Sequence, residues 1–490
     1  MSEGPESPEG PTGPGSSGAR PASADQAPFI PSSPDADPVP PAPWRVFGTR
    51  SYFRLWIAQV TSSTGDWIGL IAILAIAARV SDNSGAAVSL VMLARVVPGF
   101  FLGTIGGVLI DRLDRRLVMV CSDVGRALLL VTLPFVETLW ALVLVSFLLE
   151  IFTLLWGPAK DASVPHLVGN EQLASANTLS LVASYGTFPF ASVIFSLLAA
   201  LAAWLGGFDQ LRRLEVDQES LALFVDAATF LASALIVLRL PIPRGGSERT
   251  SRLSLSDTVR DIREGLAYIG QEPRVRGVIV GLGLGLIGGG AMIPLGPAFA
   301  QQGIGGDAAT FGVLMSALGF GAAGGVVLLL FVQKRIPRET VFDYAVMGTG
   351  GFLIVAATLS ALFPAALAVV AVGACAGTAY VTGFTVLQET VADDLRGRIF
   401  ATLYTVIRMC LLVALVVSPL FADFWDWVVN DLGGVGTVTV GRVEYSFPGV
   451  RIALWCGGII TLLAGLYARR SMKRAGPDPR TGGTASGAVA

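Results

Sequence analysis

Seven charged residues interrupt otherwise apolar runs: Asp66, Arg95, Asp123, Arg126, Glu150, Asp226 and Arg408. A charge inside a bilayer is costly unless paired, so each marks a place where protons, ions or polar solutes are handled. Carboxylates in such surroundings can take up and release protons, and a neighbouring arginine can hold them ionised. At about 1.5 Å of helix per residue, Asp66 lies about 20 Å from either end of its run, Glu150 about 18 Å deep and Arg408 about 15 Å deep. Asp123 and Asp226 lie nearer the ends of theirs. Asp66, Arg95, Glu150 and Arg408 are therefore the candidates for transport and proton coupling. Arg95 is expected to pair with Asp66, and Arg408 to approach Glu150 from the other half of the chain. Asp123 and Arg126, three residues apart, read as a local structural pair.

Other chemistries are poorly provided for. His166 is the only histidine, and the four cysteines (Cys121, Cys375, Cys410, Cys456) all fall in apolar runs without metal-site spacing. No nucleophile–base pair is visible, so a membrane enzyme is the weakest reading. Gly283-Leu284-Gly285-Leu286-Ile287-Gly288 has dinucleotide-fingerprint spacing, but it sits inside an apolar run with no preceding strand. Helix packing explains it better, as it does the spacings Gly103/Gly107, Gly281/Gly285 and Gly373/Gly377. No phosphate-loop sequence ending in Gly-Lys-Ser/Thr is present. No cofactor or metal is expected. A net charge of −2 provides no field for nucleic acid.

The elements that must position these charges are membrane spans. Of 490 residues, 53% are hydrophobic and only 14% charged, too little polar surface for a soluble chain. A helix needs about 20 apolar residues to cross a bilayer. Twelve stretches qualify: 53–79, 86–110, 117–135, 138–158, 174–204, 221–240, 274–299, 309–332, 340–362, 364–388, 398–424 and 449–468. With both termini placed in the cytoplasm, cytoplasmic segments hold 26 of the 34 basic residues, as the positive-inside rule requires. Residues 1–43 hold 12 of the 28 prolines and read as a disordered tail. Residues 44–240 and 274–470 form two six-helix halves, and 471–490 a second tail. In the linker 241–273, Leu255, Val259, Ile262, Leu266 and Ile269 mark an amphipathic helix lying on the membrane surface.

The turn after the second span reads Gly107-Val108-Leu109-Ile110-Asp111-Arg112-Leu113-Asp114-Arg115-Arg116. It resembles the turn motif G-x-x-x-D-R-x-G-R-R of the major facilitator superfamily, with Asp114 in place of the second glycine. That variant is similar to the branch holding macrolide, multidrug and siderophore exporters. The runs Gly157-Pro158-Ala159-Lys160-Asp161, Asn170-Glu171-Gln172-Leu173 and Arg396-Gly397-Arg398 resemble that branch too. Tyr185-Gly186-Thr187-Phe188-Pro189 keeps the proline of an exporter motif in helix five but not its paired glycines. The likeness covers roughly 50 to 470.

The resemblance implies an all-α protein of twelve transmembrane helices in two bundles that rock about a midplane site. It also implies a cytoplasmic gate built from Gly107, Asp111, Arg112, Arg115, Arg116, Arg396 and Arg398. A carboxylate such as Asp111 at a helix end can accept hydrogen bonds from a neighbouring helix N-terminus. The expected function is proton-coupled efflux of a small amphipathic molecule across the bacterial inner membrane. The expected partners are substrate, protons and lipid, with the chain a monomer. An importer of the same fold, or a non-transporting scaffold or sensor, stands as the alternative.

Overall fold

The computed structural model describes residues 46–81, 84–110, 113–206, 219–242, 267–332, 335–391, 393–429, 437–440, 443–446 and 448–474. The tails and most of the linker expected to carry the amphipathic helix lie outside them. The linker's last apolar residue, Ile269, is buried in a cluster with Val275, Ile279 and Phe342.

Fourteen α-helices follow in order among the described residues: α1 Arg50–Val80, α2 Gly85–Ile110, α3 Arg115–Thr132, α4 Leu139–Ser163, α5 Leu173–Tyr185, α6 Phe188–Gly206, α7 Ser220–Leu238, α8 Pro273–Gly289, α9 Met292–Ala298, α10 Ala308–Val332, α11 Arg338–Thr358, α12 Leu362–Thr390, α13 Asp393–Trp427 and α14 Gly449–Arg474. Among the described residues, eleven helical segments are long and apolar enough to cross a membrane, and Gly85–Gly99 of α2 is a shorter apolar stretch. Large apolar side chains stand on the outside, Phe363 being 81% exposed. A hydrocarbon surrounding suits such a surface.

The sequence interrupts two expected spans. Span five breaks between α5 and α6 at Gly186 and Thr187, and Pro189 sits in the first turn of α6, where its missing N–H costs nothing. Span seven breaks after Gly289 and ends in a π-helical turn, Phe299–Ile304. Span eleven begins earlier than expected. Asp393 and Asp394 favour a helix start there, which puts Arg396 and Arg398 within α13 rather than before it.

Among the described residues the all-α expectation holds apart from one short ribbon. Strands β1 Thr437–Val440 and β2 Val443–Ser446 pair antiparallel, with Thr437 opposite Ser446. The β-branched run Thr437-Val438-Thr439-Val440 favours extended backbone.

Polar side chains of α1 stitch it to the broken fifth span. Tyr52 Oη donates to Ala176 O at 2.6 Å, Trp56 Nε1 to Leu179 O at 2.9 Å and Trp67 Nε1 to Ser184 O at 2.8 Å. Ser184 lies in the last turn of α5, where carbonyls lack intrahelical partners. Elsewhere, missing side chains bring helices together. A Cβ on Gly288 would lie 2.0 Å from Gly457 O of α14. On Gly373 and Gly377 it would lie 2.1 Å from Leu318 O and 2.6 Å from Ala322 O of α10. Gly285, by contrast, meets nothing closer than 3.8 Å.

Among the described residues, two polar seams help tie α1–α7 to α8–α14. Between α6 and α10, Ser196 Oγ donates to Ala309 O at 2.9 Å, and the rings of Phe190 and Phe320 meet edge to face at 5.6 Å. Between α2 and α13, Ser89 Oγ donates to Val416 O at 2.6 Å, and Asp423 accepts from the backbone of Gly85 and Ala86.

Candidate functional site

Arg126 of α3 is the centre of the intramembrane charges. It is 1% exposed. Its Nη1 donates to both carboxylate oxygens of Asp66 on α1, each at 3.2 Å. Its Nη2 donates to Ser62 Oγ at 3.3 Å and to Asp123 Oδ1 at 2.5 Å. The other oxygen of Asp123 accepts from Ser233 Oγ of α7 at 2.8 Å and from Trp156 Nε1 of α4 at 3.3 Å. The guanidinium lies 4.0 Å from the ring centre of Phe230 and 5.7 Å from that of Trp156. Four helices therefore converge on one cation, which is what a buried charge requires to be tolerated.

The expected pairing of Arg95 with Asp66 is corrected by this geometry: Arg126 takes that place. The spacing predicts a local structural pair of Arg126 with Asp123. That pair forms, but Arg126 also has a second guanidinium nitrogen free to reach α1, and its planar fork suits two carboxylates at once. The Asp66 side chain is 31% exposed, whereas that of Asp123 is fully buried. The network thus has one accessible end and one sealed end.

Glu150 on α4 stands beside this cluster. It feels the charges of Arg95, Asp66 and Arg126, Arg95 the most strongly. Among the described residues it makes no hydrogen bond or ion pair. Arg408 is exposed on α13 and is not among the charges acting on Glu150. Asp226 of α7 is 1% exposed. Its carboxylate packs onto α1 where a Cβ on Gly65 or Gly69 would lie 2.2 or 2.3 Å from its oxygens.

Of the gate residues, Asp111 and Arg112 lie outside the described residues, and only backbone is described at Gly107, Arg396 and Arg398. Arg115 Nη1 donates to Ala162 O at 3.0 Å, at the end of α4, and to His166 Nε2 at 2.8 Å, in the turn that follows it. Arg116 is half-buried in the first turn of α3. Asp114, the departure from the motif's glycine, caps α3: its Oδ1 accepts from Arg116 N at 3.0 Å and Leu117 N at 3.3 Å. Ser62, Trp156, Phe230, Ser233 and Asp423 escaped the sequence reading. Only Asp423 carried a signal, being a carboxylate at the end of an apolar run.

Long apolar helices, an apolar exterior and a buried ion network across four helices define a polytopic membrane protein. A family model described as transmembrane secretion effector matches residues 41–414, and the chain belongs to that family of MFS-type transporters. It is thus a multi-pass protein of the bacterial inner membrane and not an enzyme. It is 26% identical over 216 residues to YfiS, an uncharacterized MFS-type transporter of Bacillus subtilis (strain 168), the match spanning 44% of this chain and 48% of that one. It is 25% identical over 391 residues to macrolide efflux protein A of Streptococcus pyogenes, spanning 76% and 89%. Its fold is similar to that of a bacterial homolog of the human lysosomal transporter Spinster, inward-facing and unoccupied, at a TM-score of 0.65 and 14% identity, over 88% of this chain and all of that one. The nucleoside transporter NupG is similar at 0.61 and 14%, over 88% of this chain and all of that one.

Proposed function

We propose that this chain is a secondary transporter that moves a small amphipathic molecule out of the cell by alternating access, driven by protons. The network centred on Arg126 carries this reading. It gives α1, α3, α4 and α7 a shared charge balance that a proton can alter, and its Asp66 end is accessible. Glu150 is the proton carrier: it lies beside the network and has no bonded partner among the described residues. Arg95 counters its charge in this state, and Arg408 is the candidate partner in the opposite one. Two six-helix bundles rock about this centre, with termini and basic loops in the cytoplasm. The turn around Asp111, with Arg112, Arg115, Arg116, Arg396 and Arg398, closes the cytoplasmic side. The export direction rests on the likeness to macrolide efflux protein A and on the residues of the turn.

The test is uptake of a panel of amphipathic compounds into inverted vesicles. Accumulation of at least one compound, abolished by a protonophore, is the expected result. Uptake of none, or uptake indifferent to the gradient, contradicts the reading.

A further inference from the structure

The contact between α2 and α13 contains a carboxylate that no part of the mechanism above uses. Asp423, near the end of α13, reaches across to the start of α2. Its Oδ1 accepts from Gly85 N at 2.6 Å and its Oδ2 from Ala86 N at 2.8 Å, with Ser84 Oγ at 3.5 Å. These are orphan donors of a helix start, and the start of a helix also carries partial positive charge. The approach is close because residue 85 has no side chain: a Cβ there would lie 2.0 Å from Pro419 O. Ser89 Oγ to Val416 O, at 2.6 Å, extends the same seam one turn further. All these bonds join the first set of helices to the second. They lie at the end of α2 opposite the turn that carries Asp111.

We propose that Asp423 is a positioning residue for transport, an outer latch that caps α2 when the protein faces inward and lets go when it faces outward. Asp111, at the far end of α2, is expected to act on the cytoplasmic side. α2 would then carry a latch at each end, and closing one would require opening the other. Neither carboxylate needs to touch substrate. Asp423 sets the balance between inward-facing and outward-facing states. The inference rests on the alternating-access reading, but its direct readout needs neither substrate nor a proton gradient.

The experiment places one cysteine at Ala298, which lines the crevice between α2, α9 and α13 together with Asp423. The four native cysteines are replaced. Labelling by a membrane-impermeant maleimide is followed from the outer face in right-side-out vesicles. Asp423→Ala is expected to raise the labelling rate about tenfold, as loss of a helix cap would. Asp423→Asn, which keeps one acceptor oxygen, is expected to give a smaller rise. Gly85→Ala leaves the charge intact but pushes against Pro419, and is expected to raise labelling too. Transport by Asp423→Ala should show a changed maximal rate with substrate affinity measured from the cytoplasmic side little altered. Unchanged labelling in a well-inserted Asp423→Ala or Asp423→Asn protein overturns the proposal. Faster labelling in a chain that transports nothing in the vesicle panel leaves the latch standing and overturns the proposed function instead.

Discussion

Arg126 and Asp66 meet across α3 and α1, one guanidinium nitrogen lying 3.2 Å from each carboxylate oxygen. The same side chain holds Asp123 at 2.5 Å through its other terminal nitrogen. Removing the cation strands two carboxylates, one of them fully buried. Arg126→Met is expected to cost about 3 kcal/mol, the lower end of the range for breaking a buried ion pair, because Asp66 is partly solvated. Thermal unfolding in detergent reads this as a marked loss of melting temperature. Arg126→Met combined with Asp123→Asn should recover part of it. A single variant as stable as the parent contradicts the role of Arg126 as the hub.

Asp114 takes the place of a motif glycine and caps α3. Asp114→Ala is expected to destabilise by about 1 kcal/mol, Asp114→Gly and Asp114→Ser by a few tenths. The ranking is measured by unfolding of the purified variants. Equal behaviour of Ala and Ser at this position refutes the cap.

Asp111→Asn keeps the shape of the side chain and removes its charge. If Asp111 latches the cytoplasmic side, the variant inserts at normal abundance and loses most transport. Full transport by a well-expressed variant removes the latch from the account.

Periodicity and charge made the membrane spans legible, because a bilayer demands long apolar helices and basic loops on one side. Gly373 and Gly377 were readable as packing residues for the same reason: in lipid, small residues decide how near two helices come. The charges were legible as a set but not as pairs. Depth along a helix fixes one coordinate of a side chain, and the facing direction, which decided between Arg95 and Arg126 for Asp66, depends on helix rotation. Arg451 shows the same limit. It stands at the start of the stretch 449–468, where a charge is expected to face water, yet it is 4% exposed. It donates to Gly303 O at 2.6 Å and Ser360 Oγ at 2.7 Å. The ribbon of β1 and β2 was hidden because a four-residue strand is too short for its alternation to stand out.

The proton carrier is the central claim, and Glu150→Gln in reconstituted vesicles tests it most directly. Glutamine mimics the protonated side chain, so substrate still binds and exchanges down its own gradient while coupling to protons is lost. The measurement compares proton-driven accumulation with substrate counterflow in the same preparation. The account predicts accumulation abolished and counterflow retained in Glu150→Gln. A variant that still concentrates substrate against its gradient contradicts it.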